Sequence, residues 1–170
     1  GRRAVSGVLA AGRDRGPEEV LVRLHASGVC HSDWNAVDGT SESPCPAVLG
    51  HEGAGVVAEV GEGVTSVAPG DHVIIAWSAP CGTCKFCVDR KQPNLCINIQ
   101  FAAGATIHFQ QGGSPIFGFA GVGTWAEELI VPQQGVVKID PDTPHEIASL
   151  VGCGPFSLAL QFKRADVQRE

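Results

Sequence analysis

Four cysteines crowded into one short stretch set the strongest constraint on this chain. Cys81, Cys84 and Cys87 stand three apart and Cys96 follows, so four thiols fall within 16 residues. Soft thiolates at that spacing suit a closed tetrahedral zinc site, whose binding energy stabilises a loop that lacks a core of its own. The competing reading, disulfides, has to pair cysteines only three residues apart. The start, Gly1-Arg2-Arg3-Ala4-Val5, has no apolar leader, and dense CxxC spacing without one favours metal in a reducing compartment. The expectation is a structural zinc on Cys81, Cys84, Cys87 and Cys96 in a cytoplasmic protein. Cys45, between Pro44 and Pro46, reads as an unliganded loop thiol.

A second donor set is dispersed. It comprises Cys30 in Gly28-Val29-Cys30-His31-Ser32-Asp33, His51 in Gly50-His51-Glu52, and Cys153 in Gly152-Cys153-Gly154. Two cysteines and a histidine, with a fourth position left for water or substrate, are the donor pattern of a catalytic zinc. Each also has a plainer reading: Cys30 as a small core residue, His51 as a hydrogen-bonded core histidine, Cys153 as part of a glycine turn. The neighbours fit an open metal site. A Ser32 hydroxyl can take a proton from a zinc-bound alcohol, since zinc lowers the pKa of bound water from about 9 to about 7 in a favourable site. Asp33 can accept the free ring N–H of His51 and fix its tautomer. Glu52 can approach the metal during ligand exchange. Against these stand helix capping for Ser32 and Asp33, and a solvated loop carboxylate for Glu52.

The 170 residues suffice for one domain, or one and a small annex. A net charge of −6 gives no nucleic-acid surface, and no apolar run approaches a membrane span. Glycines and prolines punctuate short Val/Ile-rich runs, which predicts a mainly β fold. Strands are expected at Val20–His25, Ala54–Val60, His72–Ala76, Glu127–Val131 and Gly135–Ile139. Short helices are expected at Ser32–Val37, capped by Ser32 or Asp33, and at Glu146–Leu150. Asn98–Phe119 shows no clear period and reads as a long loop. Gly121-Val122-Gly123-Thr124-Trp125-Ala126 fits GxGxxA, but no strand–turn–helix pattern surrounds it.

Taken together, these motifs resemble the zinc-containing medium-chain alcohol dehydrogenases. Gly28–Asp33, Gly50–Val57, Val60–Val64, Pro69–Val73, the Cys81–Cys96 loop, Gly123–Glu127 and Gly152–Gly154 carry the likeness in order, over about residues 17 to 154. The stretch between Cys96 and Gly123 resembles the branch holding the classical and the thiol-dependent formaldehyde dehydrogenases. The resemblance implies a GroES-like β-barrel with short helices and a zinc-stapled lobe at about residues 78–100, within a catalytic domain at 1–154. It implies a catalytic zinc on Cys30, His51 and Cys153, and a structural zinc on the four clustered cysteines. It also implies Ser32 as the proton-relay hydroxyl with Asp33 and Glu52 beside the ligands, His31 against the coenzyme pyrophosphate, and Trp77 as a wall of the alcohol pocket.

The departures bear on function. A family member carries a Gly-rich dinucleotide-binding domain soon after the last zinc cysteine. Residues 155–170 contain no glycine and match nothing in the family, so no dinucleotide-binding domain is expected. Only one strand-like run, Ala4–Ala10, precedes Gly16-Pro17, where the family fits two. The structural loop has one residue more than expected between Cys87 and Cys96, and Asn35 occupies a place that holds a relay histidine in some members. The function implied for the full-length parent is hydride transfer to NAD or NADP from a zinc-bound alcohol or a formaldehyde–thiol adduct. The alternative is a truncated, non-catalytic zinc-binding domain acting as a partner or remnant. Expected partners are a small alcohol or aldehyde adduct, with no nucleic acid and no membrane. An oligomer is possible, although the domain that usually pairs subunits is not expected.

Overall fold

The computed structural model describes residues 16–99 and 107–153. The strand-like run Ala4–Ala10 and the tail 155–170 lie outside them. Two sheets form the frame of the described chain. The strands are β1 (Glu19–Ser27), β2 (Ala47–Val48), β3 (Gly53–Val60), β4 (His72–Ile75), β5 (Ile107–Gln111), β6 (Ser114–Gly118), β7 (Glu128–Pro132) and β8 (Val136–Lys138). The larger sheet runs β7-β1-β3-β4-β8, antiparallel throughout, and the smaller β2-β6-β5. The helices are short: α1 (His31–Asp38), α2 (Lys85–Val88) and α3 (His145–Val151). This is the mainly β architecture that the turn-punctuated apolar runs predict, and the five expected strands fall on β1, β3, β4, β7 and β8.

The core forms because alternate residues of a strand share one face. Val20 and Val22 of β1, Val57 of β3, Val73 and Ile75 of β4, and Leu129 and Val131 of β7 are essentially sealed from solvent. They form one cluster with Phe109 and Ile116 of the smaller sheet. Truncating a sealed residue of this size costs about 2–5 kcal/mol through lost burial and a residual cavity.

Two expectations need correction. Residues 107–118 are a β-hairpin, not part of a long loop. Pro115 hides the pattern, because proline argues against a strand. It is tolerated because β2 pairs with β6 only at Phe117 and Gly118, which leaves Pro115 bonded on one side alone. The turn, Gly112-Gly113, has φ of 57° and 83°. Two successive positive φ values mark the tight turn that matches the twist of paired strands. The second correction concerns α1, whose N-cap is Cys30 rather than Ser32 or Asp33. Asp33 sits in the first turn and reaches back to accept the Cys30 N–H at 2.9 Å.

α3 lies against β1, β3 and β4. Its first residue, His145, stacks on His72 with ring centroids 4.8 Å apart and meets His25 at 4.7 Å. Burial first, then the neighbouring His25 and His72, hold the His145 ring below the usual histidine range. No described helix is long and apolar enough to cross a membrane.

Candidate functional site

The two donor sets predicted from sequence each come together. Cys81, Cys84, Cys87 and Cys96 place their sulfurs within 4.8 Å of one another. Cys84 N-caps α2 and Cys87 lies inside it, while Cys96 closes a single 3-10 turn at Pro93–Leu95. The backbone of the loop folds around its own thiols: the Cys84 N–H points at Cys81 Sγ at 3.3 Å, and the Cys81 N–H at Cys96 Sγ at 3.3 Å. Donation from the Thr83 hydroxyl, then from backbone N–H groups, lowers the Cys81 thiol to about 5. Burial, then Cys84, pushes Cys87 up to about 12. Four thiols this close do not all ionise without a cation among them.

Sulfur spacing tests whether zinc fits. Sulfurs about 2.3 Å from a zinc ion stand about 3.8 Å apart at the corners of a tetrahedron. Cys84 Sγ lies 3.5 Å from Cys87 Sγ and 3.9 Å from Cys96 Sγ. A disulfide needs about 2.0 Å, and all seven cysteines are free. The donor set and its spacing fit zinc.

The dispersed set is assembled from three parts of the fold. Cys30 caps α1, His51 and Glu52 occupy the link between β2 and β3, and Cys153 follows α3. Their donor atoms also lie within 4.8 Å of one another, with Cys30 Sγ and Cys153 Sγ 4.0 Å apart. Burial first, then the charge of Cys30, drives the Cys153 thiol up to about 12. Glu52 brings a carboxylate oxygen to within the same distance of the two cysteines and the histidine. Gly28 permits its approach, because a β-carbon there would collide with the Glu52 carboxylate.

Asp33 is fully buried and organises this site. One carboxylate oxygen accepts the Gly50 N–H at 3.0 Å and faces His51 Nδ1 at 3.3 Å, while the other accepts the Cys30 N–H. With Nδ1–H held by Asp33, His51 presents Nε2 as its free donor. Ser32 is exposed, and its hydroxyl lies 3.7 Å from Cys30 Sγ. His31 opens α1 and is also exposed. Trp77 sets its ring edge-on to His51, with centroids 6.4 Å apart. Phe119, which the sequence reading passed over, does the same from the other end of the hairpin connection at 5.6 Å. Nothing in the sequence signals that pairing, since it depends on where the hairpin returns the chain. Cys45 is exposed and stands apart, its thiol facing the Ser43 carbonyl at 3.6 Å. The Gly121–Ala126 stretch follows a 3-10 turn and leads into strand β7 rather than a helix.

This mainly β domain with short helices thus carries one four-thiol cluster and one mixed cluster. Residues 16–141 match the alcohol dehydrogenase GroES-like domain, and the chain belongs to that family. S-(hydroxymethyl)glutathione dehydrogenase from Escherichia coli O1:K1 is 45% identical over 143 residues, covering 80% of this chain and 38% of the relative. Among solved structures, benzyl alcohol dehydrogenase from Acinetobacter calcoaceticus superposes with a TM-score of 0.74 at 31% identity, over 86% of this chain and 40% of that one. The alcohol dehydrogenase TADH from Thermus sp. ATN1 does so at 0.66 and 35% identity, over 88% and 40%. The chain thus spans 38% of the length of this curated relative. The relatives bear out the resemblance carried by the motifs, including its formaldehyde dehydrogenase branch.

Proposed function

We propose that this chain forms the metal-binding catalytic domain of a zinc-dependent dehydrogenase. Its substrate would be an alcohol or the hydroxymethyl adduct of a thiol, and its coenzyme NAD or NADP. The observation that carries this reading is the convergence of Cys30, His51, Glu52 and Cys153 within 4.8 Å, backed by the buried Asp33. Zinc held by these residues would lower the pKa of a bound oxygen, and a nicotinamide would accept the hydride.

The chain's own side chains do the rest. Asp33 fixes the tautomer of His51 and ties the backbone before His51 to that of Cys30. Ser32, exposed beside Cys30, takes the substrate's hydroxyl proton and passes it to water. Trp77 and Phe119 flank the His51 ring and shape an apolar side to the site. His31, exposed at the start of α1, would pair with a coenzyme phosphate. The clustered cysteines hold a second zinc that orders residues 81–96. Free thiols throughout suit a cytoplasmic setting.

Zinc stoichiometry on the purified chain tests the reading. Two zinc ions, falling to one in Cys153→Ser, is the expected result. One zinc ion in both proteins would show that only the clustered cysteines bind metal, and the catalytic reading would fail.

A further inference from the structure

Cys30 and His51 sit on segments far apart in sequence; besides Asp33, the end of the β1–β3 ladder joins them, with Ser27 opposite Gly53 and the Gly28 N–H donating to Glu52 O at 2.8 Å. A third segment, Thr124-Trp125, touches both. From the β2–β3 side it takes two backbone bonds: Thr124 N–H to Gly50 O at 2.9 Å and Trp125 N–H to Leu49 O at 2.8 Å. From the β1–α1 side it takes two side-chain bonds. The Thr124 hydroxyl meets the Ser27 hydroxyl at 2.7 Å, and the Trp125 indole N–H donates to Gly28 O at 3.1 Å. Gly50 and Gly53 are packed so closely on this pair that a β-carbon at either position would strike Thr124. Thr124 is 1% exposed, so its hydroxyl is shut off from bulk solvent.

We infer that Thr124 and Trp125 are positioning residues that clamp the Cys30 segment to the His51 segment and so set the gap between two donors of the dispersed site. Neither is a donor. The backbone bonds on one side are independent of side chain, whereas both bonds to the Cys30 side depend on a hydroxyl and an indole. The clamp is therefore one that substitution can open on one side alone. The inference rests on the metal reading of that site, and the test separates the two.

Cobalt(II) replaces zinc and reports each site by its visible absorption, since thiolate number changes the charge-transfer bands. The 170-residue chain is titrated with cobalt against a chelator, beside Thr124→Val, Thr124→Ser and Trp125→Phe. Supporting groups around metal ligands typically affect affinity 10–100-fold. The expected result is about tenfold weaker cobalt binding at the dispersed site in Thr124→Val and Trp125→Phe, restored in Thr124→Ser, with the four-thiolate band unchanged. A wild-type chain that binds only the four-thiolate cobalt overturns the metal reading, and the clamp with it. Wild-type binding of two cobalt ions with unchanged dispersed-site affinity in Thr124→Val and Trp125→Phe overturns the clamp alone. Equal weakening of both sites also overturns it, because the effect is then a general loss of fold.

Discussion

The clustered and dispersed donor sets use similar groups but take their rigidity from different places. The lobe around Cys81–Cys96 has almost no interior of its own: neither α2 nor the 3-10 turn has a buried residue, and Cys96 alone among the four thiols is buried. What holds it is N–H groups wrapped around sulfur and the Phe86 ring, whose centroid lies 5.3 Å from both the Lys85 ammonium and the Arg90 guanidinium. The dispersed set instead rests on the ends of a packed sheet, with Asp33, His51 and Glu52 at 0%, 4% and 5% exposure. The clustered site has little core behind it, whereas the dispersed site is held by the packed fold itself.

That contrast is sharpest under metal removal. Structural zinc contributes on the order of 10 kcal/mol to small domains of this kind. Chelation, or Cys96→Ser, is expected to open residues 81–96 to trypsin at the exposed Lys85, Arg90 and Lys91, while the sheet core keeps its cooperative melting. Equal protease resistance with and without metal would erase the distinction between the sites.

The next largest effect belongs to Asp33. Asp33→Asn replaces a charged acceptor with an amide facing the same three donor groups, at a cost of about 1–3 kcal/mol per buried donor left unpaired. Metal affinity at the dispersed site should fall 10–100-fold, by roughly the weight usual for such partners. The four-thiol site should be unaffected. Calorimetric titration of each site reads both, and loss of metal at the clustered cysteines would show that the two centres are coupled.

A smaller effect separates them by pH. The folded state holds His145 below the ordinary histidine value near 6.5, so the unfolded chain binds the proton more readily. Stability from this group is fully present above that value and is lost as pH falls through it towards the folded pKa. His145 faces His25 on β1 and His72 on β4, with Glu146 beside it on α3, and α3 leads directly to Cys153. His145→Leu should reduce the fall in melting temperature between about pH 7.5 and about pH 5.5 by on the order of 2 °C. An unchanged pH dependence would mean that the histidine stack is not strained by acid.

Legibility follows the same division. The clustered site can be read directly, because its ligands are local and three residues apart along one loop. The dispersed site cannot be read from spacing: Cys30, His51 and Cys153 converge only because α1, the β2–β3 link and α3 end at one place. Their motifs and the family likeness suggested them; distance along the chain did not. Asp33 was legible as the partner of His51 but not as the acceptor for Cys30 and Gly50, because a cap reaching back is indistinguishable in sequence from a cap reaching forward. The hairpin at 107–118 was missed because Pro115 and a lone His108 break the alternation, although Gly112-Gly113 marked its turn. Phe119, Thr124 and Trp125 act through residues far along the chain, and no period or motif encodes such pairings.

The Gly112-Gly113 turn has one more use. A β-carbon placed on either residue would meet nothing within 4 Å, the flanking strands are tied to each other rather than to the turn, and none of the metal donors belongs to the hairpin. Loop tips of this kind accept insertions best. A reporter peptide or a lanthanide tag spliced between these two glycines would therefore give a spectroscopic handle on the domain, fixed to its smaller sheet, without touching any residue of the two donor sets.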